Sequence, residues 1–282
     1  MSSLGAALAA RKTWRTLEPL HGMIYFVPEA TEAYGALGIT GRDGYFASRS
    51  APMGAVSAEV VVATFFNFNP ALVHHAIPGA WAITTPDALV AARLEAVDRA
   101  FRRILGHDVV ESAEMARASE LAVSAAVVAA HHSEGRALCA AHCALAWPEA
   151  PHLRLWHAQS ILREFRGDAH IALLVTHGLS GLDSLITHAA TGEIAPELLR
   201  STRGWSEDDW GGAADSLRQR GWLVDHEKLT FSDWGVEQRH DIEDVTDTLS
   251  IAPYDAVGDD GCAELRALCR PWSKAFSEVL FR

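Results

Sequence analysis

The segment GWSEDDWGGAADSLRQRGWLVDHEKLTFSDWG, residues 204–235, decides the predicted fold. Ser206 is a favourable helix N-cap, and apolar residues then recur at helical spacing until Gly221 ends the helix. Two short apolar runs around a polar turn follow in residues 222–231, which is the pattern of a β-hairpin. A long helix is predicted from Asp233 to about Leu249. The order of helix, hairpin and long helix predicts a winged-helix unit.

This segment resembles the C-terminal half of MarR-type winged-helix domains. Residues 14–257 as a whole are similar to an actinobacterial family of helix-turn-helix proteins that has no settled activity. The resemblance implies a fold rather than a reaction. Because MarR-type dimers bind aromatic or amphipathic anions between their dimerisation and DNA-binding parts, it also implies a small-molecule pocket between two modules.

An internal repeat suggests that the unit occurs twice. Residues 54–64 match residues 192–202 without a gap as G-x-[VI]-x-x-E-[VL]-[VL]-x-x-T, and residues 84–98 match residues 230–244. The alternative is that helices of similar amphipathicity look alike. In the first copy, residues 69–83 contain two prolines and no Lys or Arg, so its recognition helix and wing are degenerate.

The predicted fold is therefore mainly α with small β-wings, in which tandem duplicated winged-helix modules form a single-chain pseudo-dimer. The predicted divisions are a degenerate first module (14–106), a helical connector (107–151), a second module (152–257) and a C-terminal helix (258–282).

Composition narrows the classes of function. The 282 residues carry a formal charge of −12, which opposes binding to phosphate backbones. The second recognition-type helix adds to this, because Glu207, Asp208 and Asp209 open it. DNA is thus an unfavourable partner. The four cysteines predict reduced thiols. The lack of a signal peptide or membrane helix predicts a cytoplasmic protein without a membrane partner. A monomer or a homodimer is expected.

The predicted helix from Pro151 to about Thr176 carries two stripes of polar side chains. One stripe holds His157, Glu164 and Asp168, which together offer the ligands of a Zn, Fe or Mn site. The other stripe, holding Arg163, Arg166, His170 and His177, is suited to an anionic ligand. The alternatives are that the carboxylates are solvated surface and that Arg163 pairs with a nearby acid.

Three further residues are candidates for the same pocket. His21 and Tyr25 lie one turn apart on the helix that opens the first copy, and His74 lies in the degenerate recognition helix. A hydrogen-bonded core role for His21 and a local turn role for His74 are the alternatives.

These features leave three functions open. The first is a small-molecule-binding protein of the sensor, sequestration or resistance type. The second is a metal- or haem-dependent enzyme that uses the His157, Glu164 and His170 region, with Arg163 and His170 holding an anionic substrate or haem propionates. The third is a MarR-like regulator that binds DNA. Phosphate-loop, dinucleotide and hydrolase motifs are absent from the sequence.

Overall fold

The computed structural model describes residues 3–225 and 228–280. Its helices, in chain order, are α1 (Ser3–Gly22), α2 (Pro28–Ala36), α3 (Asp43–Ser50), α4 (Ala58–Phe65), α5 (Pro70–Ala76), α6 (Gly79–Ile83), α7 (Pro86–Leu105), α8 (His107–Val110), α9 (Ala113–His131), α10 (Ala137–Cys143), α11 (Pro151–Thr176), α12 (Gly181–Ala189), α13 (Pro196–Arg203), α14 (Glu207–Gln219), α15 (Asp233–Leu249), α16 (Ile251–Asp255) and α17 (Gly258–Leu280). Short 3₁₀ turns follow α1 at Met23–Tyr25 and α3 at Ala51–Met53.

The chain forms two compact units, each built from separate stretches of sequence. Unit 1 comprises Met1–Val56, Ala76–Ala169 and Asp247–Arg282, and unit 2 comprises Ser57–His75 and His170–Thr246. One boundary between the units lies just before α4, and the other three fall inside α5, α11 and α15.

Unit 1 is a helical assembly with a large apolar core. α1 packs along α17, α2 along α7, and α9 against both α16 and α17. Apolar side chains on the inner faces of these helices are fully buried, among them Leu17, Phe46, Phe101, Met115 and Phe276. At about 1.5–3 kcal/mol for each such side chain, their burial is the main stabilising contribution to this unit.

Unit 2 is smaller and has its own core. Leu182 and Ile186 of α12, Leu217 of α14, and Trp222 form part of a contiguous buried cluster. Side-chain caps fix where its helices begin: Ser180 and Asp183 form a reciprocal capping box at α12, and the Ser206 hydroxyl accepts the Asp209 N–H at α14.

The structure contradicts the prediction of β-wings and of a winged-helix fold. Of the predicted hairpin 222–231, residues 226 and 227 lie outside the described residues; the rest contains a single isolated antiparallel bridge, Leu223 to Phe231, and no strand. The physical reason is that Trp222 and Leu223 are buried in the unit 2 core instead of alternating along a ladder. A two-stranded ribbon without a third strand is marginal in any case.

The single-chain pseudo-dimer is also wrong. The first repeat match is locally real, since α4 and α13 each begin four residues after a glycine with positive φ, Gly54 and Gly192. However, α14 of the second copy corresponds to two short helices, α5 and α6, in the first. In addition, α4 belongs to unit 2 and α7 to unit 1, so the first copy does not form a module.

The predicted divisions at residues 106, 151 and 257 remain predictions from the repeat. Within the described ranges, no single helix is long and apolar enough to cross a membrane, although the bent pair α11 and α12 meets those criteria jointly.

A pair of glycine substitutions tests the packing of unit 2. A Cβ on Gly181 would lie 1.9 Å from the Phe66 carbonyl oxygen, whereas Gly212 in α14 has open space around it. We expect Gly181→Ala to lower the free energy of unfolding by about 3 kcal/mol or more. Gly212→Ala should raise it by about 0.5–1 kcal/mol. Urea unfolding measures both, and equal stabilities would contradict the described contact.

Candidate functional site

A buried hydrogen-bonded chain in unit 1 centres on His21, the penultimate residue of α1. The Ser160 hydroxyl donates to the Trp156 carbonyl oxygen at 3.0 Å, so it accepts from His21 Nδ1–H at 2.9 Å. His21 Nε2 is then the acceptor for the Tyr25 hydroxyl at 3.0 Å. Arg93 donates in turn to the Tyr25 oxygen at 3.3 Å. These roles define one neutral tautomer of His21.

The surroundings keep His21 neutral. Its ring is fully buried and stacks on Trp156 with centroids 5.4 Å apart. Burial, together with the positive charges of Arg163 and Arg93, lowers the pKa of His21 well below its usual value. The predicted candidates His21 and Tyr25 are therefore in contact, and the imidazole holds the phenol in place.

An ion-pair network lies next to this chain. Glu164 of α11, only 2 % exposed, pairs with Arg163 at 2.9 Å and with Arg49 of α3 at 3.3 Å. Arg163 also pairs with Glu18 of α1 at 2.8 Å. Burial opposes ionisation of Glu164, but the charges of Arg49 and Arg163 outweigh it and lower its pKa to about 2.

A cavity of about 240 Å³ opens in unit 1 and is called here the histidine cavity. Its walls are mainly apolar, with four polar side chains among them. The lining residues are Pro52, Asp87, Val90, Ala91, Arg93, Leu94, His142, Leu145, Ala146, Trp156 and His157.

The two histidines of this cavity have unsatisfied nitrogens. His142 and His157 are 2 % and 3 % exposed, and their ring centroids are 6.4 Å apart. Within the described part of the chain, three of their nitrogens have no hydrogen-bond partner: both nitrogens of His142 and the Nε2 of His157. Burial and the charge of Arg93 lower their pKa values to about 3 and about 4 respectively. Both rings are neutral at pH 7, and each offers one donor and one acceptor.

A second cavity, of about 100 Å³, is also in unit 1. Tyr25, Thr31, Tyr34, Tyr45 and Ser48 contribute its polar side chains. Arg93 contacts this wall as well, because it donates to the Tyr25 hydroxyl and to the Ser48 carbonyl oxygen.

The other predicted site residues have separate contacts. Arg166 pairs with Asp247 at 2.9 Å and lies over the Trp14 ring. His170 and His74 belong to unit 2; His170 Nδ1 donates to the Thr246 hydroxyl, and His74 is exposed on α5.

The predicted metal ligands do not converge. Asp168 accepts the N–H groups of Leu138 and Cys139 at the start of α10, and Glu164 is held by arginines. Burial raises the pKa of Asp168 to about 6. Among residues 3–225 and 228–280, no three His, Cys, Asp or Glu side chains come together as a metal would require.

Two residues of the histidine cavity were missed by the sequence reasoning. Arg93 lies four residues after Leu89 and four before Val97, both fully buried, so it occupies the apolar stripe of α7. A cation at that position was a readable signal. His142 lies 15 residues before His157, on a different helix, and nothing local in the sequence links the two.

Unit 2 contains a helix-turn-helix. α13 ends at Arg203 and is capped by Gly204, which has φ 75°, and α14 begins at Glu207, so a three-residue turn joins the two helices. The Trp205 indole donates to the Asn67 carbonyl oxygen, which holds this turn against the segment that follows α4. A family model described as a helix-turn-helix family matches residues 10–280. The chain belongs to this helix-turn-helix family.

Comparisons with curated proteins and with solved structures gave no significant match. Family membership thus agrees with the helix-turn-helix expected from the sequence. The MarR-like and actinobacterial parts of the resemblance are not shown by it.

The ion-pair network yields a stability prediction. Glu164→Gln should lower the free energy of unfolding by about 3 kcal/mol at pH 7, because it removes the carboxylate that Arg49 and Arg163 share. The control is Glu95→Gln, which removes an exposed partner of Arg99 and should cost less than about 0.5 kcal/mol.

The pH dependence of that loss follows from the lowered pKa. The stabilisation by Glu164 is complete above its unfolded pKa of about 4.5 and is lost as the pH falls toward about 2. Urea unfolding at pH 7 and pH 3 should show a smaller difference between wild type and Glu164→Gln at pH 3. A difference that is absent at pH 7 would contradict the network.

Proposed function

We propose that this protein is a small-molecule-binding member of its helix-turn-helix family and that the ligand occupies the histidine cavity. The observation that supports this most directly is the pair His142 and His157: both nitrogens of His142 and the Nε2 of His157 are buried and lack partners among the described residues. A buried polar group without a hydrogen bond costs about 1–3 kcal/mol, and such groups are rare in native proteins. A ligand that bonds to both imidazoles offsets that cost.

The walls of the cavity define the size and character of the ligand. A volume of about 240 Å³ lies below the usual 300–1,000 Å³ of ligand pockets, which favours a compound of one or two rings. Trp156, Leu94 and Leu145 offer an apolar surface to its body. The few polar side chains then fix its orientation.

The helix-turn-helix itself favours a second candidate function, DNA binding. The charges of unit 2 oppose it. Glu207, Asp208 and Asp209 are exposed at the start of α14, where they complement the helix dipole but repel phosphate. Nearby arginines are engaged by carboxylates: Arg200 by Glu207 at 2.7 Å, Arg218 by Asp215 at 2.7 Å and Arg220 by Asp183 at 3.1 Å.

A cavity-filling substitution tests the proposed site. Val90→Trp should abolish protection by compounds that bind the histidine cavity, since the indole occupies the space of the ligand. For the wild type, a compound at a hundredfold excess over its Kd adds about 2.7 kcal/mol of stability, which thermal-shift screening of a fragment library detects.

The matched control is Val60→Trp, on an exposed position of α4 in unit 2. This variant should be protected by every binding compound to the same extent as the wild type. The proposal is refuted if no library compound protects the wild type more than the Val90→Trp variant.

DNA binding is tested by removing acidic charge. The wild type should bind duplex DNA with a Kd weaker than about 10 µM at physiological salt. If α14 approaches DNA, Glu207→Gln with Asp208→Asn should tighten binding about tenfold, because repulsion falls and the partner of Arg200 is removed. Fluorescence anisotropy with a salt titration measures this.

Asp259→Asn with Asp260→Asn makes the same change of charge in the first turn of α17, outside unit 2, and serves as control. Sub-micromolar binding by the wild type that weakens steeply with salt would instead show that the protein is a DNA reader.

A further inference from the structure

The inference concerns the charge balance around Arg93, and it rests on the proposed function of the histidine cavity. Arg93 is 3 % exposed. Its Nη atoms donate to the Ser48 carbonyl oxygen and the Tyr25 hydroxyl, and its Nε has no partner. Both acceptors are neutral. In the described part of the chain, no carboxylate lies within ion-pair distance of this guanidinium.

Its neighbours in unit 1 differ in this respect. Arg49 and Arg163 share Glu164, and Arg166 pairs with Asp247. Burying an ionised group costs several kcal/mol unless an opposite charge is nearby, and these three guanidiniums obey that rule. Arg93 does not, although it lies over the faces of Tyr25 and Trp156, which attract a cation weakly.

The acid on the cavity wall does not supply the missing charge. Asp87 is exposed in the first turn of α7, six residues before Arg93, which is about 9 Å along the helix axis. Glu164 is held by its own arginines. The wall therefore presents one buried positive charge that the described residues leave without a counter-ion.

We propose that the ligand of the histidine cavity is a small monoanion with an apolar or aromatic body, whose carboxylate binds the Arg93 guanidinium. The Nε–H of Arg93 is available to one oxygen. An N–H of His142 or His157 is available to the other, since a neutral imidazole always carries one donor. Trp156, Leu94 and Leu145 contact the apolar body.

The neutral state of the two histidines suits this arrangement. Burial and the charge of Arg93 lower the pKa values of both. Among the other groups acting on His142, His157 and Arg49 also lower its pKa, and Glu164 raises it. Arg93 is consequently the only fully charged cation on the described cavity wall at pH 7, and selectivity for an anion should depend on it.

Isosteric probes of different charge test the proposal. Benzoate, 3-phenylpropionate and 2-naphthoate should bind the wild type about tenfold to a hundredfold more tightly than the corresponding carboxamides, as a hydrogen-bonded charge does relative to a neutral group. Isothermal titration calorimetry at pH 7 measures both series. Val90→Trp should remove binding of both.

Variants then assign the preference to Arg93. Arg93→Met should weaken carboxylate binding by about the same factor and weaken carboxamide binding much less, because a neutral acceptor loses only a hydrogen bond. Because this change also removes two hydrogen bonds, Arg93→Lys is the second variant, which keeps the charge and should retain most of the preference. Arg154→Met removes a cation that lies over Trp147 and does not line the cavity, and it should leave the preference unchanged.

The possible outcomes separate this inference from the proposed function. If carboxylates and carboxamides bind equally and Val90→Trp excludes both, the anionic ligand is refuted while the ligand site stands. If no carboxylate binds the wild type at millimolar concentration, the inference is also overturned, and the neutral binders of the histidine cavity decide the proposed function. A preference that survives in Arg93→Met but is lost in Arg154→Met would place the anion elsewhere.

Discussion

The arrangement of unit 1 depends on the pairing of Glu164 with Arg49 and Arg163. α11 is buried along the stretch that carries Glu164, and an ionised carboxylate there is tolerable only if cations contact it. The cations come from α3 and from α11 itself, and Glu18 of α1 holds the second arginine. The network thus fixes three helices relative to one another within this unit. It also places Ser160 and Trp156, which precede Glu164 on the same helix, against His21.

The sequence predicted local structure well and tertiary structure poorly. The bounds Pro151–Thr176 and Asp233–Leu249 were predicted closely, because apolar periodicity and capping are written in neighbouring residues. The predicted hairpin was wrong because the apolar residues Trp222 and Leu223, which are typical of a strand, are buried in the core of unit 2 instead. The predicted pseudo-dimer failed for a related reason, since similar helices, α4 and α13, are placed in the same unit by contacts that no periodicity reveals.

The candidate site shows where such reasoning stops. The polar stripe of α11 was identified, and the argument that its charges require partners was sound. The partners lie far away in sequence: position 18 for Arg163, position 49 for Glu164, position 247 for Arg166 and position 138 for Asp168. Most of the charged side chains on this stripe therefore have ion-pair or hydrogen-bond partners elsewhere in the fold. The unsatisfied groups of the histidine cavity lie at His157 on this helix and at Arg93 and His142 on other helices, and only the accounting of hydrogen bonds in three dimensions identifies them.

The same comparison of satisfied and unsatisfied polar groups gives different functional interpretations for unit 1 and unit 2. The helix-turn-helix has a packing explanation that does not involve DNA: a Cβ on Gly204 would lie 2.5 Å from Leu72, and Trp205 is bonded to Asn67. The turn is needed to close the core of unit 2, so its presence is weak support for DNA binding when its surface is acidic. Arg93 and the two imidazoles have no comparable explanation. The Nε of Arg93, both nitrogens of His142 and the Nε2 of His157 have no hydrogen-bond partner in the described chain, and a buried charge without a counter-ion costs stability. Function should accordingly be sought in the histidine cavity of unit 1 rather than in the motif that defines the family.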